Sequence, residues 1–198
     1  MSKPITLYFD FLSPYTYLAN TQLKTTLAAD IQEIHYIPVP ILTVMERVNN
    51  SPTTILSPAK GQYAQQDLGR WARRYQVPFS RNPYLGKFGS ESLCLVTIAA
   101  QQAGCAEECI QALFQAMWID GVNLGDDEEL RRVLNDAGIG DTQQLLDARE
   151  SETVKQQLQA NIEAAVNAGV FGSPSFVVEE QLFFGNDRLD FVKEALVA

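Results

Sequence analysis

The sequence predicts an α/β fold in which a small β-core is interrupted by a large, all-helical insertion. Three observations predict it: an apolar strand that runs directly into a helix near residue 13, a short hairpin near residue 180, and helical periodicity over residues 42–168 between them. The chain has 198 residues, of which 46% are hydrophobic and 20% charged. This is enough apolar material for one well-buried core.

The first strand and helix lie in the segment ITLYFDF-L-SPYT-YLANTQLKTTLAA. We expect a strand over 4–12 and a helix over 14–29. Serine is a favoured helix N-cap and proline a favoured first helical residue, so Ser13 and Pro14 suit the junction. A helix N-terminus carries unpaired N–H groups and positive potential, which stabilise an anion such as a thiolate. The Ser-Pro-Tyr-Thr frame has no sulfur at either end, so a thiolate held here must come from a ligand.

The remaining elements follow in order. Residues 33–37 alternate between polar and apolar and predict a second strand. In the helical stretch that follows, Asp126 and Asp141 are expected to act as N-caps. At the C-terminal end, Phe-Val-Val and Leu-Phe-Phe predict a hairpin, and a last helix follows it. We therefore expect a discontinuous domain over 1–41 and 169–198, and an insertion domain over 42–168.

Composition excludes some functions. The net charge of −9 argues against a nucleic-acid partner, which would need a basic face. No apolar run approaches the roughly 20 residues that span a bilayer, and the N-terminal sequence lacks the order of a signal peptide. We therefore expect a cytoplasmic protein without membrane contact. Cys94, Cys105 and Cys109 are expected to be free thiols, and with His35 as the sole histidine no metal site is expected.

Three segments carry a resemblance over nearly the whole chain. They are FDFLSPYTYLA, the middle stretch NNSP…SPAKGQYAQQDLGRWARRY…VPF…N, and GVFGSPSFVVEEQLFFGNDRLDFV. Together they resemble the 2-hydroxychromene-2-carboxylate isomerase family, which is related to kappa-class glutathione transferases and more distantly to DsbA-type disulfide oxidoreductases. The resemblance implies a thioredoxin-like core with a large all-helical insertion. It also implies a homodimeric enzyme of aromatic catabolism that uses glutathione and a small aromatic substrate.

The resemblance assigns the centre of the site to three residues. Ser13 would be catalytic and donate a hydrogen bond to the glutathione sulfur, although the same serine could serve only as the N-cap of its helix. Ser173 would pair its main chain with the cysteinyl part of glutathione, for which its side chain matters little; otherwise it is a plain turn residue. Pro174 would be the cis-proline that faces the active helix.

Further residues would hold the ends of glutathione. Asn186 and Asp187 match a turn that meets the γ-glutamyl end, while Asp187 could instead cap the last helix. Asn50 and Lys60 match positions that hold glutathione or substrate, with Asn49 as an alternative register for the asparagine.

Two residues would face the aromatic substrate. They are Asn82, which could equally be a turn residue before a proline, and Tyr15, which lies in the active turn. The function implied is glutathione-dependent cis–trans isomerisation of an unsaturated aromatic 2-oxo acid. A kappa-like transferase and a non-catalytic thiol- or peptide-binding module are the alternatives. Disulfide exchange is not expected, because neither Ser13 nor Thr16 can form a mixed disulfide.

Overall fold

The fold is known from a computed structural model, which describes residues 3–27 and 33–197. The strands are β1 (Ile5–Phe9), β2 (Ile34–Pro38), β3 (Ser175–Val178) and β4 (Gln181–Phe184). The α-helices are α1 (Pro14–Leu27), α2 (Ile41–Arg47), α3 (Thr53–Leu56), α4 (Pro58–Tyr75), α5 (Glu91–Ala103), α6 (Ala106–Gln115), α7 (Asp127–Asp136), α8 (Thr142–Ala148), α9 (Glu152–Asn167) and α10 (Leu189–Val197). A π-helical turn, Ala116–Asp120, continues α6, and a 3-10 turn, Asn186–Arg188, leads into α10.

The strands form one mixed sheet in the order β2-β1-β3-β4. Strands β1 and β2 are parallel and joined through α1, whereas β3 runs antiparallel to both β1 and β4. A parallel pair connected by a helix, extended by a hairpin from the other end of the chain, is the core that the sequence predicts. The prediction of an α/β fold with a thioredoxin-like core and helical insertion is confirmed.

Element boundaries depart from the prediction at the active turn. The predicted strand over 4–12 was too long, since β1 ends at Phe9. The carboxylate of Asp10 accepts a hydrogen bond of 2.7 Å from the backbone N–H of Leu12, which turns the chain away from the sheet. Helix α1 ends at Leu27, and the rest of the predicted helix, 28–29, lies outside the described residues.

Local helix signals in the inserted part are confirmed. The carboxylate of Asp126 accepts from the backbone N–H groups of Glu128 and Glu129 at the start of α7, and that of Asp141 accepts from Gln144 at the start of α8. Both are the N-cap bonds that the residue types predict. Among the helices of residues 3–27 and 33–197, none is long and apolar enough to cross a membrane.

The β-core and the inserted helices bury one common apolar cluster. Polar bonds also join them: the indole N–H of Trp118 donates to the carbonyl of Phe11 at 2.8 Å, and the amide of Asn161 donates to the carbonyl of Pro38 at 3.2 Å. The division into domains at residues 41 and 169 therefore stays a prediction. The turn before α1 is therefore held in place partly by the inserted helical segment, through the bond from Trp118 to Phe11.

Candidate active site

Ser13 lies at the start of α1 and is half-buried. Its carbonyl accepts from the N–H groups of Thr16 and Tyr17, and its Oγ also accepts from the Thr16 N–H at 3.3 Å. The N-cap interpretation of Ser13 is therefore confirmed. No acidic residue lies in the first turn of α1, so no side chain of that turn offsets the positive potential of the helix end.

The loop before β3 packs against this helix start. The Ser173–Pro174 peptide bond is cis, and Pro174 is buried. The Ser13 hydroxyl donates to the carbonyl oxygen of Ser173 at 2.7 Å. The Oγ of Ser173 accepts from the backbone N–H of Asp10 at 3.0 Å and shares a hydrogen bond of 2.7 Å with Thr16 Oγ1. The Ser173 side chain, expected to matter little, thus fixes its residue against α1 and the end of β1.

Asp10 supports the turn from beneath and is only 1% exposed. Its carboxyl group accepts hydrogen bonds of 2.7 Å each from Leu12 N–H, Ile41 N–H and the Ser90 hydroxyl. Burial raises the pKa of Asp10 above its ordinary value, and the three hydrogen bonds oppose this shift without cancelling it. Asp10 therefore ties the active turn to the segments that begin α2 and α5.

The turn after β4 contacts the loop that contains the cis-proline. The Gly185 N–H donates to the carbonyl of Pro174 at 3.0 Å, and Gly185 has a φ of 111°, in the region that favours glycine. Asn186 is buried, and its carbonyl accepts from the Tyr75 hydroxyl at 3.0 Å, so it holds α4 against the turn. Asp187 is exposed, and its carboxylate pairs with Arg188 at 2.9 Å. Among the described residues, the Asp187 side chain accepts no bond from a backbone N–H of α10, and its carboxylate remains accessible to a ligand ammonium group.

Tyr15 is half-buried in the active turn, and its hydroxyl donates to the carboxylate of Asp67 on α4 at 3.3 Å. Its pKa is raised, first by burial and then by the negative charge of Asp67, with a smaller contribution from Asp187. Tyr15 therefore keeps its proton at neutral pH and can act as a hydrogen-bond donor but not as a base.

Asn50 and Lys60 differ in their relation to this face. The amide of Asn50 donates to the carbonyl of Phe171 at 2.7 Å, so Asn50 contacts the loop that leads to Ser173. Asn49 has a positive φ of 55°, and within residues 3–27 and 33–197 it is Asn50 that bonds this loop, which favours the Asn50 register. Lys60 is exposed in the first turn of α4, and the described contacts do not join it to the loop.

Asn82 is 2% exposed, and its polar groups are used within the protein. Its amide donates to the Val122 carbonyl at 2.8 Å and lies 3.4 Å from the Met117 sulfur, while its Oδ1 accepts from the Tyr84 N–H at 2.8 Å. These contacts favour the turn role that the sequence left open. A role of Asn82 in binding substrate stays a prediction.

Four further residues belong to this face and were not predicted as site residues. They are Asp10, Thr16, Asp67 and Tyr75. A signal existed for two of them: Asp10 is a charged residue within an apolar run, and Thr16 ends the Ser-Pro-Tyr-Thr frame. Asp67 and Tyr75 lie on an amphipathic helix among other polar residues, and only the packing of α4 distinguishes them.

This arrangement offers a helix N-terminus whose own first turn has no acidic residue, a hydroxyl donor at its start, and a main-chain carbonyl facing that hydroxyl. The molecule is thus a thioredoxin-fold protein in which serine and threonine stand at the two ends of the active frame. Such a site can hold an external sulfur anion but cannot itself exchange disulfides.

Comparison with known proteins agrees with this class. The family model of the DSBA-like thioredoxin domain matches residues 4–197. The chain is 31% identical to a 2-hydroxychromene-2-carboxylate isomerase of Sphingobium xenophagum over 198 residues, all of both chains. It is 26% identical to glutathione S-transferase kappa 1 of Caenorhabditis elegans, covering 97% of this chain and 90% of the other. A solved 2-hydroxychromene-2-carboxylate isomerase superposes with a TM-score of 0.86 at 26% identity, covering 98% and 94% of the chains.

The chain belongs to the DsbA-like thioredoxin family, in the group that contains the 2-hydroxychromene-2-carboxylate isomerases and kappa-class glutathione transferases. The resemblance given by the sequence motifs is confirmed, as is the prediction of an enzyme of this kind.

Proposed function

We propose that the protein is a glutathione-dependent cis–trans isomerase of an unsaturated aromatic 2-oxo acid of the 2-hydroxychromene-2-carboxylate type. The observation that carries the proposal is the position of the Ser13 hydroxyl, at a helix N-terminus with no acidic residue in its first turn and 2.7 Å from the carbonyl of Ser173. The names of the relatives, which are isomerases and kappa-class glutathione transferases, support the choice of reaction and cofactor.

The residues present fit glutathione. A sulfur beside Ser13 would meet an O–H donor and the positive end of α1, both of which favour its ionised form. The carbonyl of Ser173 can accept the cysteinyl N–H. The exposed carboxylate of Asp187 can accept from the γ-glutamyl ammonium group, and the N–H groups of the turn before α10 suit its carboxylate. We assign Asn50 to the cysteinyl–glycyl side and Lys60 to a carboxylate of glutathione or substrate.

When bound, glutathione would supply a thiolate that adds to the conjugated double bond, permits rotation about the resulting single bond and is then eliminated unchanged. Ser13 would stabilise the negative charge on the sulfur before addition and after elimination. Tyr15, which keeps its proton, would turn its single hydroxyl hydrogen from the Asp67 carboxylate to the substrate oxygen on which negative charge develops. Before substrate binds, Asp67 holds the phenol in place.

Product analysis tests the reaction type. Purified protein is incubated with 2-hydroxychromene-2-carboxylate, with and without reduced glutathione. Isomerisation that requires glutathione and returns all of it as free thiol supports the isomerase. A stable thioether would instead show the kappa-like transferase, which the kappa-class relatives make the second candidate.

Replacing Ser13 tests the residue assigned to the sulfur. Ser13→Ala should lower kcat/KM about 10- to 100-fold, the worth of one charge-assisted hydrogen bond. Ser175→Ala is a matched control, because its buried hydroxyl also bonds a loop carbonyl, that of Gly172, at 2.8 Å. Equal losses in the two variants would contradict a special role for Ser13 and favour a non-catalytic module.

The proposal extends to assembly and location. We propose a cytoplasmic homodimer, as the family resemblance implies. Sedimentation equilibrium with and without glutathione tests the assembly, and a monomer at micromolar concentration would contradict it.

A further inference from the structure

A cavity of about 250 Å³ lies beside α1, about two helical turns from the start of that helix. Its walls come from three parts of the chain: Tyr17 and Asn20 on α1, Val77 in the loop after α4, and Phe114 and Ile119 on α6 and the π-helical turn that continues it. The described residues that line it include none of those assigned above to glutathione or substrate. A ligand bound here would therefore be separate from the proposed active site.

The walls of this cavity are held in place by bonds within the protein. The Tyr17 hydroxyl donates to the carbonyl of Pro78 at 2.5 Å, which joins α1 to the loop after α4. The Phe114 ring lies against the Phe11 ring, with 4.8 Å between their centroids. The π-helical turn is anchored by the bond from Trp118 to the Phe11 carbonyl, and such turns are frequent at functional sites. The cavity is thus formed before any ligand binds.

One polar group of the cavity wall lacks a partner. Asn20 is only 6% exposed, and its Oδ1 accepts from the Tyr36 hydroxyl at 3.1 Å. Its Nδ2 carries two hydrogens, and neither is donated to an acceptor among the described residues. Because a buried donor without an acceptor costs free energy, a ligand that brings an acceptor to Asn20 gains a hydrogen bond at little cost.

The charge of the cavity selects the ligand further. Among the described residues that line it, none has a charged side chain. Gln115, an exposed lining residue, donates to the carboxylate of Asp120 at 3.3 Å, so the nearest charge that bonds the lining is negative. A carboxylate placed inside would lose water without meeting a cation, whereas an uncharged acceptor would not. The site therefore differs from the proposed active site, which has to accept carboxylates.

The size and lining of the cavity suit one aromatic ring. An apolar cavity of roughly 150 Å³ is enough for benzene, so about 250 Å³ leaves room for a ring with a small substituent. Phe114 and Ile119 offer apolar and aromatic surface, and Asn20 offers the single unpaired donor. Together these features define both a place for a ring and a place for its oxygen.

We propose that this cavity is a second binding site, for a small, uncharged aromatic carbonyl compound. The ring lies against Phe114 and Ile119, and the carbonyl oxygen accepts a hydrogen bond from Asn20 Nδ2. The inference goes beyond the proposed function and does not depend on it, since the two sites share no residue.

Fluorine NMR titration of the full chain tests the site with two matched probes. Para-fluoroacetophenone, which is neutral, should bind saturably with a dissociation constant of about 1 mM or below, as suits a molecule of its size. Para-fluorobenzoate has a similar ring but carries a charge, and it should bind at least about tenfold more weakly. Saturating glutathione should not displace the neutral probe.

Three variants locate the bound probe. Asn20→Leu keeps a side chain of similar size but removes the donor, so it should weaken binding about 3- to 10-fold. Tyr36→Phe is the matched control: it also breaks the bond between Asn20 and Tyr36 but leaves the donor, and it should change binding less than about twofold. Ile119→Trp fills the cavity from a half-buried position and should abolish binding, which gives a second reading if Asn20→Leu folds poorly.

Three results would overturn the proposal. The first is absence of saturation by para-fluoroacetophenone below about 10 mM, which would leave the cavity to water. The second is binding that neither Asn20→Leu nor Ile119→Trp weakens. The third is displacement of the probe by glutathione, which would place the probe in the active site. If glutathione itself fails to bind, the proposed function falls, while the responses to Asn20→Leu and Ile119→Trp still decide this inference.

Discussion

Two helices of this protein begin after a small residue, a serine before α1 and a cysteine before α6, and their first turns differ in charge. Helix α1 begins after Ser13 and has no acidic residue in its first turn. Helix α6 begins after Cys105, and its first turn contains Glu107 and Glu108. The pKa of Cys105 is raised, first by burial and then by the charge of Glu108.

The other two cysteines also have raised pKa values. The pKa of Cys94 is raised well above its ordinary value by burial, with a further contribution from the charge of Asp10. Burial raises the pKa of Cys109 to about 12. The three thiols of the protein are therefore poor nucleophiles, whereas the position best suited to a thiolate has a serine. The comparison teaches that the surroundings of a thiol, burial first and nearby acidic charge second, decide its reactivity more than the presence of cysteine does.

The most direct test of this comparison is to place a thiol at the start of α1, the helix whose first turn has no acidic residue. In Ser13→Cys, the introduced thiol should react with iodoacetamide at neutral pH about 10- to 100-fold faster than Cys105, because the α1 N-terminus lowers its pKa. Peptide mass mapping after timed quenching measures both rates in one sample. Equal rates at the two positions would show that the α1 start gives no special stabilisation to an anion.

A second test concerns Asp10, the buried acid beneath the α1 start. Asp10→Asn should lower the free energy of unfolding by about 1–3 kcal/mol, because an amide has one acceptor oxygen where the carboxyl group uses two. Urea unfolding measures the change. Asp136→Asn is the matched control, since Asp136 is exposed and its loss should change stability by less than about 0.5 kcal/mol.

The raised pKa of Asp10 can be tested by the pH dependence of the free energy of unfolding. Its folded pKa is raised, so the folded protein binds more protons than the unfolded chain between about pH 4, the ordinary value, and the raised value. The free energy of unfolding of the wild type should therefore fall as pH rises through this window. Asp10→Asn should lack that fall. A wild-type stability that rises with pH there, relative to the variant, would show that the hydrogen bonds outweigh burial.

The smallest expected effect concerns the alkylation rate of Cys105 at the start of α6. Glu108→Gln should lower the pKa of Cys105 and speed its alkylation about twofold, because burial, the larger cause, remains. Glu128→Gln on α7 serves as the control and should leave the rate unchanged. A slower reaction in Glu108→Gln would contradict the electrostatic account of Cys105.

Much of the fold and part of the site could be predicted, because their signals are local. The N-cap roles of Ser13, Asp126 and Asp141 depend on hydrogen bonds to residues two or three positions away, so residue type alone reveals them. The bond between Thr16 and Ser173 joins residues 157 positions apart and leaves no mark in either segment. Asn50 and Asn82 looked alike as candidates, but one contacts the loop before Pro174 and the other is buried in a separate turn.

The sequence by itself determined the helix starts, the hairpin, the absence of sulfur from the Ser-Pro-Tyr-Thr frame and the family to which the chain belongs. The first two follow from backbone hydrogen bonding and residue type over a few positions, and the other two are read from the residues of the motifs themselves. Only the tertiary structure decided that the Ser13 hydroxyl faces the Ser173 carbonyl, that Asp10 is buried beneath them, and that Asp67 meets Tyr15. Such contacts between distant segments depend on how the sheet and helices pack together, and that packing is fixed by the whole core rather than by any one segment.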